Sequence, residues 1–394
     1  MLGWAYVFQR DEKMRAKTFE VEVNPEIIKW AIGTSGWTTK ELSKRLKVSE
    51  ENIKTWLIGK KNPTLRQLEN LAKYVKRPLS VFFLPTPPRE KPLPRDYRML
   101  PKKEGIFSRE TILAIRLARR LQKIAKSLLE NLGISTKPNV RHVNIEDNPL
   151  EIARECRKDF GIDEEVQKKW RDAYETFNFL RKKIENLNIF VFQISMPVED
   201  ARGFTLADEE PFIIVINSKE KIEPRLFTLI HEFGHVLLKE SGIDLPEESL
   251  TLFGKIEVNK IEKWCNDFAS EFLFPRSVAK RLFEENKAIL FEKETLRKLS
   301  RNYKISKTMI LYNMVKLKYL PKEKYEERVR KVQFIEKEGF VPPDKRCLVE
   351  KGEKFISLVE ANLEKGNITF DQALEYLGIK SRHYEKILSF LKRS

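Results

Sequence analysis

Histidine is scarce in this chain, with four in 394 residues. Cysteine is scarcer still. Cys156, Cys265 and Cys347 are odd in number and far apart, which argues against a disulfide framework or a thiolate metal site and for a reducing cytoplasm. Long apolar runs are missing too. No stretch approaches the ~18 apolar residues of a membrane span, and the mean hydropathy is −0.47. The opening "MLGWAYVFQRDEKMR" lacks a basic leader and a small-residue cleavage site, so no signal peptide is expected. Acidic residues are outnumbered, 58 against 75 Lys and Arg, for a net charge of +17. Such a surplus favours an acidic polymer as partner, nucleic acid above all, unless it reflects a generally basic surface.

Against that scarcity, two of the four histidines fall in one apolar run, "FTLIHEFGHVLLKESG" (227–242). His231 and His235 are four residues apart, a little over one helical turn, so their rings project from one face and can reach a common ion. Glu232, the next residue, can take a proton from water held there. This is the HExxH spacing of metal-dependent hydrolases. The run reads as a mostly buried helix that Pro224 can start and Gly242 can end. The plainer alternative is a buried helix with two hydrogen-bonded histidines.

The chain is long enough for two or three domains. Residues 83–105 hold six prolines and read as a linker or strap. The expected organisation is a helical module at 1–84, the linker at 85–105, a metallopeptidase domain at 106–290 and a helical region at 291–394. Short β-rich runs at 188–195, 201–207 and 211–217 precede the HExxH helix. The fold class expected is mainly α with a small β-sheet, α+β. A sheet edge beside a metal-binding helix can pair with an extended peptide.

One pattern repeats. "LSKRLKVSEENI" (42–53) and "LSRNYKISKTMI" (299–310) align without gaps, and "ALEYLGIKSRHY" (373–384) is a looser third copy. Each describes a helix, a tight turn and a second helix, with a Ser cap in the first two. In the first copy Trp37, Leu42, Leu46, Val48, Ile53 and Trp56 would form the core. Its second helix would offer a duplex-DNA groove Glu50, Glu51, Asn52, Lys54 and Thr55, with Lys60 and Lys61 on the backbone. Two acids there repel phosphates. Residues 1–100 nevertheless carry a net charge of +9. The second copy, with Lys307, Thr308 and Asn313, fits a packing element of the peptidase domain better than a second DNA reader.

Two histidines do not complete a catalytic metal site, which usually has three protein ligands and one open position. His142 and His383 are isolated and read as surface residues. Glu262 and Glu271 in the helical segment 260–278 are the candidates for a third ligand, with Glu257 as an outsider. Glu262 and Glu271 are two and a half turns apart, so they cannot both face one ion. Cys265 reads as a core residue. Arg202 and Tyr174 are the available guesses for an oxyanion-stabilising group.

Together these pieces resemble a family. The run from Trp30 to Pro88 resembles the XRE-type DNA-binding domain that often precedes ImmA/IrrE-type metallopeptidases, and "LPRDYR" resembles the strap between them. "LIHEFGHVLL" followed by "EKWCNDFASEFLFP" resembles the family's peptidase signature. The likeness runs from about residue 25 to 320. It departs at Lys47, where this turn usually carries Gly, and at Glu50 and Glu51. It implies a zinc peptidase with Zn2+ held by His231, His235 and Glu262, Glu232 as general base, and Asn266 bracing a ligand histidine. It further implies a protein substrate, a helix-turn-helix repressor whose cleavage relieves repression. Two other readings share the fold: a DNA-binding regulator that senses through the peptidase fold, and a scaffold that docks a partner without cutting it.

Overall fold

The computed structural model describes residues 19–89, 107–239, 243–244, 260–330 and 342–391. It divides into two units, Met1–Lys91 and Pro92–Ser394. Most of the Pro-rich linker, Gly242 and Glu257 lie outside the described residues.

In the first unit, α1 (Pro25–Gly33), α2 (Thr39–Leu46), α3 (Glu50–Leu57) and α4 (Leu65–Val75) are followed by a 3-10 turn, Leu79–Phe83. The sequence dictates each boundary. Asn24 caps α1 with Pro25 in its first turn, the pairs Thr38–Glu41 and Thr64–Gln67 close capping boxes on α2 and α4, and Ser49 caps α3. Lys47, between α2 and α3, takes the left-handed conformation at φ 56°. Ile27, Leu42, Ile53, Trp56, Leu68 and Phe82 meet in one core. The Trp37 indole donates to the Tyr74 carbonyl at 3.1 Å.

The second unit is built on a sheet of β1 (Phe190–Ile194), β2 (Gly203–Leu206), β3 (Ile213–Asn217) and β4 (Ile243–Asp244), in the order β1-β3-β2-β4. β1 runs parallel to β3; β2 is antiparallel to both β3 and β4. Alternation along the strands sends Val191, Ile214 and Ile216 to one face and Phe190, Phe192, Phe204, Leu206, Ile213 and Val215 to the other. Both faces are covered. The first packs on α6 (Pro149–Asp159), α8 (Ala173–Asn186), α9 (Ile222–Leu237) and α10 (Lys260–Leu273). The second packs on α5 (Arg109–Asn131), α15 (Pro343–Glu364), α16 (Phe370–Leu377) and α17 (Tyr384–Leu391). The short α7 (Glu164–Lys169) and α11 (Arg276–Glu285) complete the first layer, with α12 (Lys293–Tyr303), α13 (Lys307–Lys316) and α14 (Lys322–Arg330). The fold is mostly helical with a small sheet.

Residue 290 is no boundary in this packing. Leu296, Leu299, Ile310, Met314 and Tyr325 share the core of the HExxH helix, and α15–α17 shield the sheet face that α5 covers only in part. The region expected to stand apart at 291–394 is therefore divided between the two faces of the second unit. Its middle repeat is a packing element: Thr308 is 9% exposed and Asn313 2%, and the Asn313 amide donates to the Met309 carbonyl. Among the described residues no helix is long and apolar enough to cross a membrane.

Candidate metal centre

The helix α9 begins at Ile222, two residues before Pro224, and ends at Leu237. Pro224 thus falls in the first turn, where its missing N–H has no intrahelical partner in any case. The stop also differs from expectation. Lys239, at φ 55°, turns the chain to the left three residues before Gly242. From Leu226 onward nearly every side chain is buried, including His231, Glu232 and His235, each 0% exposed.

Helix α10 crosses α9 at close range because Gly234 has no side chain. A Cβ there would lie 3.2 Å from the Cys265 sulfur. Cys265 is thereby a fully buried core residue against α9. This approach brings Glu262, in the first turn of α10, against the two imidazoles. His235 Nε2 lies 3.2 Å from His231 Nε2. Glu262 Oε2 is 3.3 Å from His231 Nε2, and Oε1 is 3.2 Å from His235 Nε2. The two imidazoles and the two carboxylate oxygens thus meet in one buried cluster, each imidazole facing its own oxygen of Glu262. For metal–ligand bonds of ~2.0–2.1 Å in tetrahedral geometry the ligand–ligand edge is about 3.3–3.4 Å. The separations between neighbouring donors are of that size, and no other such His, Cys, Asp or Glu cluster occurs among the described residues.

The competing carboxylate is accounted for elsewhere. Glu271, 1% exposed, accepts from the Arg154 guanidinium at 2.9 Å and from the Arg276 backbone N–H at 3.0 Å, at the start of α11. Asn266 lies one turn beyond Glu262 and is 8% exposed.

Two neighbours of Glu232 escaped the sequence reading. The Thr205 hydroxyl, on β2, donates to Glu232 Oε2 at 2.6 Å and lies 3.1 Å from the Glu232 carbonyl. Gly203, two residues earlier on the same strand face, lets β2 lie close over α9. A Cβ there would sit 2.6 Å from Thr228 Cγ2, 2.9 Å from the Val215 carbonyl and 3.2 Å from Glu232 Oε1. The only hint in sequence was a Gly inside a strand pattern, which signals close approach of another backbone or group.

Neither guess for an oxyanion group is placed for that work. Arg202 is 3% exposed and ion-pairs with Glu220 at 2.8 Å, whose other oxygen accepts from Thr228 at 3.2 Å. Tyr174 is 60% exposed. His142 is exposed, and His383 Nε2 accepts from Arg382 Nε at 3.2 Å. The thiols of Cys156 and Cys347 are pushed up to about 12 by burial, which keeps both protonated and inert at neutral pH.

In the first unit, Glu51, Lys54, Lys60 and Lys61 are exposed, and Glu50, Asn52 and Thr55 half-buried. Glu50 accepts from Thr39 at 3.1 Å and pairs with Lys54 at 3.5 Å. The Thr55 hydroxyl bonds back to the Asn52 carbonyl at 2.7 Å.

Residues 184–315 match the family model of the IrrE N-terminal-like domain, Peptidase_M78. The match covers about a third of the chain and contains both segments of the His231, His235 and Glu262 cluster, which supports a metallopeptidase. No curated protein matches the chain.

Proposed function

We propose that the chain is a zinc-dependent endopeptidase of the ImmA/IrrE type fused to a DNA-binding helix-turn-helix module. The observation that carries the peptidase reading is the buried His231, His235 and Glu262 cluster, with donor contacts of 3.2–3.3 Å, next in sequence to Glu232. Held by these three residues, zinc would supply a Lewis acid that lowers the pKa of water and polarises the scissile carbonyl. Glu232 accepts the proton of the attacking water on its carboxylate and returns it to the leaving amine. Thr205 keeps that carboxylate aimed. Asn266 braces a ligand histidine from the adjacent turn.

All four acting side chains are 0% exposed. A polypeptide therefore reaches them only when part of their cover gives way. The edge of β2 at Gly203 and Phe204 is paired with β4, and an extended substrate running along β2 takes that place. The substrate proposed is a helix-turn-helix repressor, met on or near DNA in the cytoplasm. The module at 19–89 supports this with its α2–turn–α3 geometry, a left-handed Lys47 and exposed Lys54, Lys60 and Lys61. Internal pairing of Glu50 with Lys54 and Thr39 softens the repulsion that two acids would present to phosphates.

The test uses the zinc-loaded full chain with helix-turn-helix repressors as substrates. Glu232→Gln should keep one zinc per chain and lose cleavage. Glu262→Ala should lose stoichiometric zinc with its helical signal intact, whereas Glu271→Ala and Cys265→Ala should stay loaded. Cleavage by Glu232→Gln at the wild-type rate, or zinc lost from Glu271→Ala and kept by Glu262→Ala, would overturn the assignment.

A further inference from the structure

The three sequence repeats share one turn to the level of single hydrogen bonds, although the third leaves it through a 3-10 turn, Ser381–His383, before α17 begins. Each first helix ends in a left-handed residue: Lys47 at φ 56°, Lys304 at φ 57° and Gly378 at φ 70°. The next residue donates to the carbonyl five positions back in all three, Val48 to Ser43, Ile305 to Ser300 and Ile379 to Leu374, at 3.1–3.2 Å. The residue after that is extended in each, at ψ 150–152°. The first and third copies agree further. Both α2 and α16 are eight residues long and open with a Thr capping box, Thr38–Glu41 and Thr369–Gln372. Leu42, Leu46, Ile53 and Trp56 align with Ala373, Leu377, Tyr384 and Ile387, all of them buried.

What differs is the outward face of the second helix. In the middle copy it is closed, because Thr308 and Leu311 are buried in the peptidase core. In the third copy Lys380, Ser381, Arg382, Glu385 and Lys386 are exposed. The positions aligned with 50–55, which hold two acids and one base, hold two bases and one acid at 381–386. Lys386 stays 59% exposed while it pairs at 3.0 Å with the buried Asp344.

We infer that the α16–turn–α17 element is a second duplex-DNA-binding site, which grips phosphates with Lys380 and Arg382. The B-form major groove, ~12 Å wide, admits a helix presented in this way. The deep, narrow major groove of duplex RNA does not. The inference goes beyond the peptidase reading and does not depend on it.

The experiment measures binding of the full chain to a 30-base-pair DNA duplex across a salt series. Lys380→Ala with Arg382→Ala removes two exposed cations without touching the core. The slope of log K against log salt should fall by about 2, at ~0.9 for each phosphate no longer neutralised. The same fall should appear in a chain already carrying Lys54→Ala, Lys60→Ala and Lys61→Ala, which separates this site from the N-terminal module. Lys280→Ala with Lys287→Ala, exposed and outside the repeats, should leave the slope nearly unchanged. An unchanged slope in the first pair overturns the site. So does an equal fall in the control pair, or equal affinity for duplex RNA, since either would mean diffuse attraction of a polyanion.

Discussion

The Thr205 hydroxyl and the Glu232 carboxylate, 27 residues apart in sequence, meet at 2.6 Å with both side chains fully buried. One comes from a strand and the other from the helix beneath it. A hydroxyl bonded to a carboxylate is a strong, directional contact, worth about 1.5–3 kcal/mol. It restricts the rotamers available to Glu232, the residue proposed as general base.

Thr205→Val keeps the shape and removes the donor. The expected outcome is unchanged zinc content and KM, with kcat lowered about 10- to 100-fold, the equivalent of that one bond. Thr205→Ser should restore most of the loss. A Ser variant as slow as the Val variant would show that the hydroxyl does not position Glu232.

Gly203 makes the same meeting possible from the backbone side. Gly203→Ala would force a methyl against Thr228 Cγ2 at 2.6 Å and the Val215 carbonyl at 2.9 Å. The carbonyl belongs to the neighbouring strand and cannot swing away. The variant should lose ~1–3 kcal/mol of stability, as overpacked sites do, read as a lower urea midpoint. Thr228→Ser removes the crowded methyl and should recover part of the loss. A Gly203→Ala protein as stable as wild type would mean that β2 does not approach α9 this closely.

These two residues show where sequence reading stops. The His231 and His235 pairing was legible because helical periodicity alone puts both rings on one face. The contest between Glu262 and Glu271 was half legible. Their spacing showed that only one could face the ion, but not which, since apolar residues flank both. The structure separates them by giving Glu271 to Arg154 and the start of α11. Thr205 carried no signal, because its partner is fixed by strand order and by the height at which β2 crosses α9. The end of α9 was misread for a local reason. Gly is the usual left-handed stop, and here Lys239 takes that conformation instead. The boundary expected at 290 is absent from the packing, because Leu296, Leu299 and Ile310 share the core of the helix that carries His231 and His235.

Lysine in the left-handed turn recurs at Lys47 and Lys304. A Cβ in that conformation costs ~1 kcal/mol or more, and Gly escapes it at some cost in unfolded-state entropy. Lys47→Gly should stabilise by ~0.5–1 kcal/mol, and Gly378→Lys should destabilise by a similar amount; Lys304→Gly should show no such gain, because the buried Lys304 ammonium donates to the Lys168 and Asn302 carbonyls at 2.8 and 3.0 Å. Denaturant midpoints of the full chain check this. A destabilised Lys47→Gly would mean that the lysine side chain makes a contact worth more than the strain.

Glu164 provides a test of how acid loosens the second unit. It accepts from Lys168 at 2.8 Å, Arg281 at 2.6 Å and the Tyr303 hydroxyl at 2.5 Å. Burial pushes its pKa upward, but these three hydrogen bonds outweigh it and hold the carboxyl at about 2, against an ordinary value of 4.5. A folded pKa below the unfolded one means that the unfolded chain binds the proton first. The stabilisation from ionised Glu164 is therefore fully present above pH 4.5 and is lost as the pH falls toward 2. Glu164→Gln lacks the charge at every pH. Its urea midpoint should lie below that of wild type by a constant margin from pH 7 down to about 5. The margin should then narrow steadily between about pH 4.5 and 3 as the wild-type carboxyl protonates. The comparison isolates this one group, because every other carboxylate titrates alike in the two proteins. A margin that stayed constant down to pH 3 would show that Glu164 is not held ionised by its three donors.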